Sequence, residues 1–300
     1  MPKPSLIALF AAFATAAAAQ APPAAQVPPA AQAPPTPEAA APPVIPDEAW
    51  KPVDPANTLV VDTTKGRFVV EMHPELAPRH VARIKALARQ GYYNGSLFYR
   101  VLDFMAQTGD KGNKQYRSSL PNMKNEATFR LTPAISDLSV GALPTGDAGF
   151  IGAMPVLIQP AQGGPASGQP ADQAPTSGEG SALFCPGTAA FAHGPSIDSA
   201  NSQIFFMRVR GPNLEKQFTA WGRVIQGQDV VKALKNGEPP PSPDKMTRVR
   251  VMADMPAADR PRLKVLDVKS PAFAALLQQE IAAKGARFSI CDVEIPVQAG

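Results

Sequence analysis

Proline limits what this chain can fold into. Thirty-five of its 300 residues are proline, about twice the usual share of roughly 5%. Each one removes a backbone donor and fixes φ, so helix interiors and central strands exclude it. Ala-Pro-Pro or Val-Pro-Pro units start at residues 21, 27, 33 and 41, inside an almost uncharged stretch from Gln20 to Trp50. That stretch reads as an extended, semi-rigid spacer, a disordered Pro/Ala-rich linker over 21–56 that builds no core; a ligand for a proline-binding partner is the alternative. Pro, Gly, Ser, Gln and Ala also dominate residues 155–187, which reads as a flexible surface insertion within a domain, since β-rich blocks flank it. With 44% hydrophobic residues, the remainder has enough apolar material for a globular core.

The formal net charge is +4 and no run of five or six like charges occurs, which argues against a dedicated nucleic-acid binder. Lys3, the apolar stretch from Leu6 to Ala19 and the small residues after it match a cleavable secretory signal peptide over 1–20. An uncleaved anchor is the alternative, but about 14 mostly alanine residues are short for a bilayer core of ~30 Å. The expectation is export, to the periplasm if the source is a bacterium, with no stable membrane insertion after cleavage. Cys185 and Cys291 lie 106 positions apart without metal-type spacing; in an oxidising compartment they form one disulfide or remain two separate thiols.

Local patterns outline the globular part. Thr58–Thr64 and Arg67–His73 read as a hairpin. Pro78, then Val81, Ile84, Leu87 and Ala88, predict an amphipathic helix ending at Gly91. Strands are expected over Leu97–Leu102, near Phe191, and over Ser202–Val209, Phe218–Val224 and Met246–Met252. A short helix is expected over Asp229–Lys235. The tail, 254–300, reads as a small extension with strands at Leu263–Val268 and Arg287–Ile295 around a helix at Pro271–Lys284. Phe273, Leu276, Leu277 and Ile281 would dock that helix on the rest. His73 and His80 have no partner spacing and read as surface residues.

Tyr93-Asn-Gly-Ser-Leu-Phe-Tyr-Arg100-Val-Leu-Asp-Phe104-Met105-Ala-Gln107-Thr-Gly-Asp110 closely resembles the signature of the cyclophilin-type peptidyl-prolyl cis-trans isomerases. Gly187–His193, Asn201–Phe206 and Phe218–Gly227 agree in the same order, so the resemblance runs from about Leu59 to Met252. It implies a cyclophilin-like domain over 57–253: mainly β, an eight-stranded antiparallel β-barrel capped by two α-helices, with the active site in a groove on its outer wall. The chemistry it implies needs no cofactor and no metal. Arg100 would aim a donor at the prolyl nitrogen of the twisted amide, and Gln107 and Gln203 would orient the arginine and the substrate backbone. Phe104, Met105, Phe205, Leu214 and Phe218 would form the proline pocket, and the backbone at Ala192 and His193 would pair with the substrate. Taken without the family, Arg100 reads as a surface ion-pair residue and the apolar residues as core.

Three positions depart from the family pattern. Tyr99 stands where a histidine usually precedes the arginine, and the stretch from Arg100 to Phe104 is one residue short. Asn213 stands where many eukaryotic members carry a tryptophan, and Phe218 replaces the pocket histidine, so the resemblance implies weak cyclosporin binding. The implied function is a monomeric isomerase acting on proline-containing, unfolded or partly folded exported polypeptides. The alternative is a non-catalytic cyclophilin-like chaperone or binding module for such segments.

Overall fold

A computed structural model describes residues 45–109, 118–132, 135, 139–140, 148–160 and 178–299. The signal segment and most of the proline-rich linker lie outside the described residues. Eight antiparallel strands form the main sheet: β1 (Thr58–Thr63), β2 (Gly66–Met72), β3 (Arg100–Val101), β4 (Met105–Thr108), β5 (Thr188–Phe191), β6 (Ile204–Met207), β7 (Ala220–Gln226) and β8 (Met246–Val251). Their spatial order is β8-β1-β2-β7-β5-β6-β4-β3. The sheet curls until the β3 edge meets the chain leading into β8 through single bridges, Leu97 to Lys245 and Val101 to Gly237. The fold is thus a mainly β, curled antiparallel sheet whose edges meet through bridges rather than a continuous ladder. Leu59, Val61, Phe68, Val70, Phe206 and Trp221 alternate onto its inner face and are buried, as period-2 patterning requires.

Among the described residues, the α-helices α1 (Pro78–Arg89), α2 (Gln228–Lys232) and α3 (Pro271–Lys284) accompany the sheets. Pro78 is pre-set for the first helical position, and α1 buries Val81, Ile84, Leu87 and Ala88 against the main core. No side chain of its own caps α1. Glu126 does so from 46 residues away, accepting from the His80 amide at 3.1 Å and from His80 Nδ1 at 2.7 Å. His80 and His73 are therefore not surface residues: both are at most 2% exposed. His73 Nδ1 lies 2.7 Å from Glu75 and Nε2 3.4 Å from Glu71. Burial alone would lower the His73 pKa, but the two carboxylates prevail and hold it up at about 10. Glu126, against His80 and Arg79, is held down at about 2 although burial opposes this.

The described ends of the proline- and glycine-rich regions form strands. Met154–Pro160 and Gly178–Ala182 pair with each other inside a five-stranded sheet that also contains Thr128–Arg130, Ala148–Ile151 and Ser139–Val140. The ends of the expected flexible insertion are thus strands, and residues 161–177 lie outside the described residues. Gly180 lets the Phe129 ring pack close: a Cβ there would stand 2.3 Å from the ring and force it to move. The end of the expected linker is folded too. Trp50–Pro52 pairs with Leu263–Leu266, which pairs with Val297–Ala299, because Trp50 and its neighbours contribute to a shared core with the tail.

The tail's helix forms where its pattern placed it, with Ser270 Oγ accepting from the Phe273 amide at 3.1 Å and Gly285 at its end. Its Phe273 meets Phe150 of the five-stranded sheet edge to face at 5.3 Å, so the helix docks on that sheet. The strand expected over Arg287–Ile295 is instead two short helical turns, Gly285–Arg287 and Ile290–Asp292; Ser289 and Asp292 cap the second reciprocally, which favours a turn over a strand. Cys185 and Cys291 are joined by a disulfide. Of the strand expected over Leu97–Leu102 only Arg100–Val101 joins the ladder, since the Phe98 amide is taken by Asp244 O at 2.8 Å.

Candidate active site

The β3–β4 hairpin sets the site's polar edge. Arg100 pairs with Gln107, and Val101 with Ala106, so Arg100 and Gln107 share the outer face while Val101 and Ala106 join the core. The connecting turn is as short as the sequence indicated: Leu102 N–H donates to Met105 O at 2.8 Å, leaving Asp103 and Phe104 at its tip. β6 lies next, with Phe205 directly opposite Gln107. Beyond it the Ala192 amide donates to Gln203 O at 2.9 Å. The ladder thereby brings Gln107 and Gln203, 96 positions apart in the chain, within hydrogen-bond reach.

A polar chain runs across this face. Arg100 Nη1 donates to Gln107 Oε1 (3.4 Å), and Gln107 Nε2 donates to Tyr99 Oη (2.6 Å) and to Gln203 Oε1 (3.3 Å). Tyr99, one of the departures from the family pattern, thus helps to fix the amide that receives Arg100. On its other edge, Arg100 Nε lies 3.0 Å from Glu238 Oε1 in an ion pair. Arg100 remains about one-third exposed (35%) at the mouth of the groove. An arginine here stays charged and presents several donors in a rigid plane.

Below lies an apolar floor. Phe205 and Met105 are buried. The Phe218 ring stands edge-on to Phe205 at 5.5 Å and stacks on His193 at 4.3 Å. One nitrogen of His193 lies 2.7 Å from the Gly194 carbonyl and the other 3.2 Å from the Gln217 carbonyl. Phe184 stacks beneath Phe205 at 6.1 Å. The floor is continuous with the core of the five-stranded sheet through Phe184, Val156 and Met154.

All ten residues singled out from the sequence, Arg100, Phe104, Met105, Gln107, Ala192, His193, Gln203, Phe205, Leu214 and Phe218, line this one groove. Tyr99 and Glu238 complete it. Sequence reasoning missed Glu238, because it lies in a proline-rich loop 138 residues beyond Arg100 and no local periodicity links the two. Among the described residues no cluster of His, Cys, Asp and Glu is arranged to hold a metal, and no helix is long and apolar enough to cross a membrane.

The sequence profile of the cyclophilin type peptidyl-prolyl cis-trans isomerase/CLD family matches residues 58–252. A probable peptidyl-prolyl cis-trans isomerase of Brucella suis is 34% identical over 208 residues, covering 67% of this chain and 85% of that protein. One of Brucella abortus matches with the same identity and coverage. The crystal structure of cyclophilin AquaCyp293 from Hirschia baltica superposes with a TM-score of 0.72 at 30% identity, over 84% of this chain and 94% of that one. The profile spans the whole curled sheet and every groove residue described above, and on that basis the chain belongs to the cyclophilin-type peptidyl-prolyl cis-trans isomerases.

Proposed function

We propose that the protein assists the folding of exported polypeptides by isomerising their prolyl bonds, with Arg100 as the catalytic residue. Rotation about a prolyl amide meets a barrier of about 18–20 kcal/mol, because resonance gives the C–N bond double-bond character. At the twisted state the nitrogen lone pair is no longer delocalised and accepts a hydrogen bond. A donor aimed there stabilises the transition state over both ground states, and that is what catalysis requires. The observation that carries this reading is the Arg100 guanidinium, steadied on one edge by Gln107 and on the other by Glu238, at the mouth of an apolar groove. In it Phe205, Met105, Phe104, Leu214 and Phe218 take the proline ring, while the backbone at Ala192 and His193 pairs with the substrate.

The Cys185–Cys291 disulfide and the apolar run from Leu6 to Ala19 support export to an oxidising compartment, the periplasm of a bacterium. The short turn below Arg100 favours a second reading, a module that binds proline-containing segments without turning them over. Exchange spectroscopy by NMR on a short Ala-Pro-Phe peptide separates the two. Rapid exchange that collapses in Arg100→Ala is expected; binding seen as shifted resonances, with no acceleration by the wild type, would replace the enzyme with the binding module.

A further inference from the structure

The arginine and the turn that carries Phe104 are both held from one side by the stretch 232–238 that follows α2. Val101 and Gly237 exchange backbone hydrogen bonds in both directions, each 2.8 Å. One residue onward, Glu238 Oε1 lies 3.0 Å from Arg100 Nε. One residue back, Asn236 Nδ2 donates to Asp103 Oδ1 at 2.7 Å, while its Oδ1 accepts from Arg208 Nη1. Arg208 completes the tie. Its amide donates to Phe104 O at 2.8 Å, Nη1 to Leu102 O at 2.8 Å and Nη2 to Lys232 O at 2.5 Å. A single residue thus binds carbonyls on both sides of Asp103 and anchors them to the end of α2.

We propose that Glu238 and Arg208 are positioning residues of the isomerase, Glu238 setting the angle of the Arg100 guanidinium and Arg208 the place of Phe104 in the groove. The proposal rests on the role given to Arg100 above. The Glu238 carboxylate beside Nε, an ion-pair contact without an aligned hydrogen bond, and the Gln107 oxygen 3.4 Å from Nη1 restrict the plane of the guanidinium from two edges. The two-residue turn has no length of its own with which to steer Phe104, so its lean is decided by the grip on Phe104 O, made by the Arg208 amide and kept in any variant, and by the grip on Leu102 O, made by the Arg208 side chain and lost in Arg208→Ala. Glu238 is about half exposed (52%), and exposed ion pairs add little to stability. Its loss therefore reads out in catalysis rather than in unfolding.

NMR titration of the peptide gives affinity, and exchange at saturation gives the catalysed rate. Glu238→Gln is expected to lower the saturated rate about 10-fold with affinity within about twofold, and Glu238→Asp to recover part of it. Arg208→Ala is expected to weaken affinity about 10-fold with a smaller loss of rate, and Arg208→Lys not to rescue it, because a point charge lacks the fork that reaches three acceptors. Asn236→Ala, at an exposed position, removes one tether and should weaken affinity about two- to threefold, which keeps the test decisive if Arg208→Ala does not fold. Arg100→Ala runs alongside. Full activity in Arg100→Ala would overturn the catalytic reading itself. An inactive Arg100→Ala beside Glu238→Gln and Asn236→Ala variants that match wild type would overturn the positioning proposal alone. A loss of rate and affinity in equal proportion, tracking loss of folded protein by circular dichroism, would also overturn it.

Discussion

Reducing the Cys185–Cys291 bond should cost this protein a large part of its stability. The bond closes a loop between residues 106 positions apart, enclosing β5 to β8, α2 and α3. In the chain-entropy treatment a loop of that size removes about 16 cal/mol/K from the unfolded ensemble, or about 4.8 kcal/mol at 25 °C. For a folded body of this length that corresponds to a melting-temperature drop of roughly 10–20 °C. Cys185 is fully buried beside Phe150, Leu266 and Phe273, and reduction keeps both sulfur atoms in place, so the difference reads the cross-link and not a cavity. Urea titrations of oxidised and phosphine-reduced protein measure it, and the oxidised form should also show the smaller m-value, since its unfolded chain stays more compact. A difference below about 2 kcal/mol would refute the loop-entropy argument, and two free thiols found in unreduced protein by mass spectrometry would refute the bond itself.

Three further outcomes follow from the structure. His73 is raised from 6.5 to about 10 by Glu71 and Glu75. Its contribution is complete below about pH 6.5 and is lost as pH rises through about 10, so melting temperature should fall across that window and His73→Gln should flatten the slope. Glu126 is lowered from 4.5 to about 2, so its contribution is present above about pH 4.5 and disappears as pH falls towards 2. Glu126→Gln should cost about 2–4 kcal/mol in urea titrations near neutral pH, because a charge-assisted cap on α1 and a buried partner for His80 are weakened together. Cyclosporin should bind weakly, since the exposed Asn213 offers no planar anchor and Phe218 is stacked on His193; inhibition at nanomolar drug would contradict this.

The groove was legible because its residues lie in short blocks whose order along the chain carries the resemblance, and strand pairing only had to bring them edge to edge. Arg100 and Gln107, seven residues apart, meet across a hairpin, the kind of contact local pattern can show. Glu238 and Arg208 were not legible in this way. Their partners are set by where the 232–238 stretch crosses the β3–β4 turn, and nothing within a few residues of either marks that crossing. The same holds for His80, whose carboxylate comes from position 126. His73 carried a local hint, with glutamates two residues to either side, but burial decided its character.

Composition misled at the glycine- and proline-rich segments. Gly178-Glu-Gly-Ser-Ala182 has little β-propensity, yet it forms a strand because it is paired on both sides, by Thr128–Arg130 and by Met154–Pro160, with the Phe129 ring packed against Gly180. Trp50–Pro52 follows a proline-rich run, yet it forms a strand because the tail supplies Leu263–Leu266 as partner. The sequence by itself determined the family, the residues that line the groove and the elements with strong local signals, namely the β1–β2 hairpin, α1 and α3. Tertiary structure decided what depends on contacts between distant segments: the second and third sheets, the charged partners of the buried histidines, and the strut beside Arg100. Periodicity and capping act over a few residues, whereas the energy that orders a small-residue strand or fixes a side chain's partner comes from surfaces that meet only when the chain has folded.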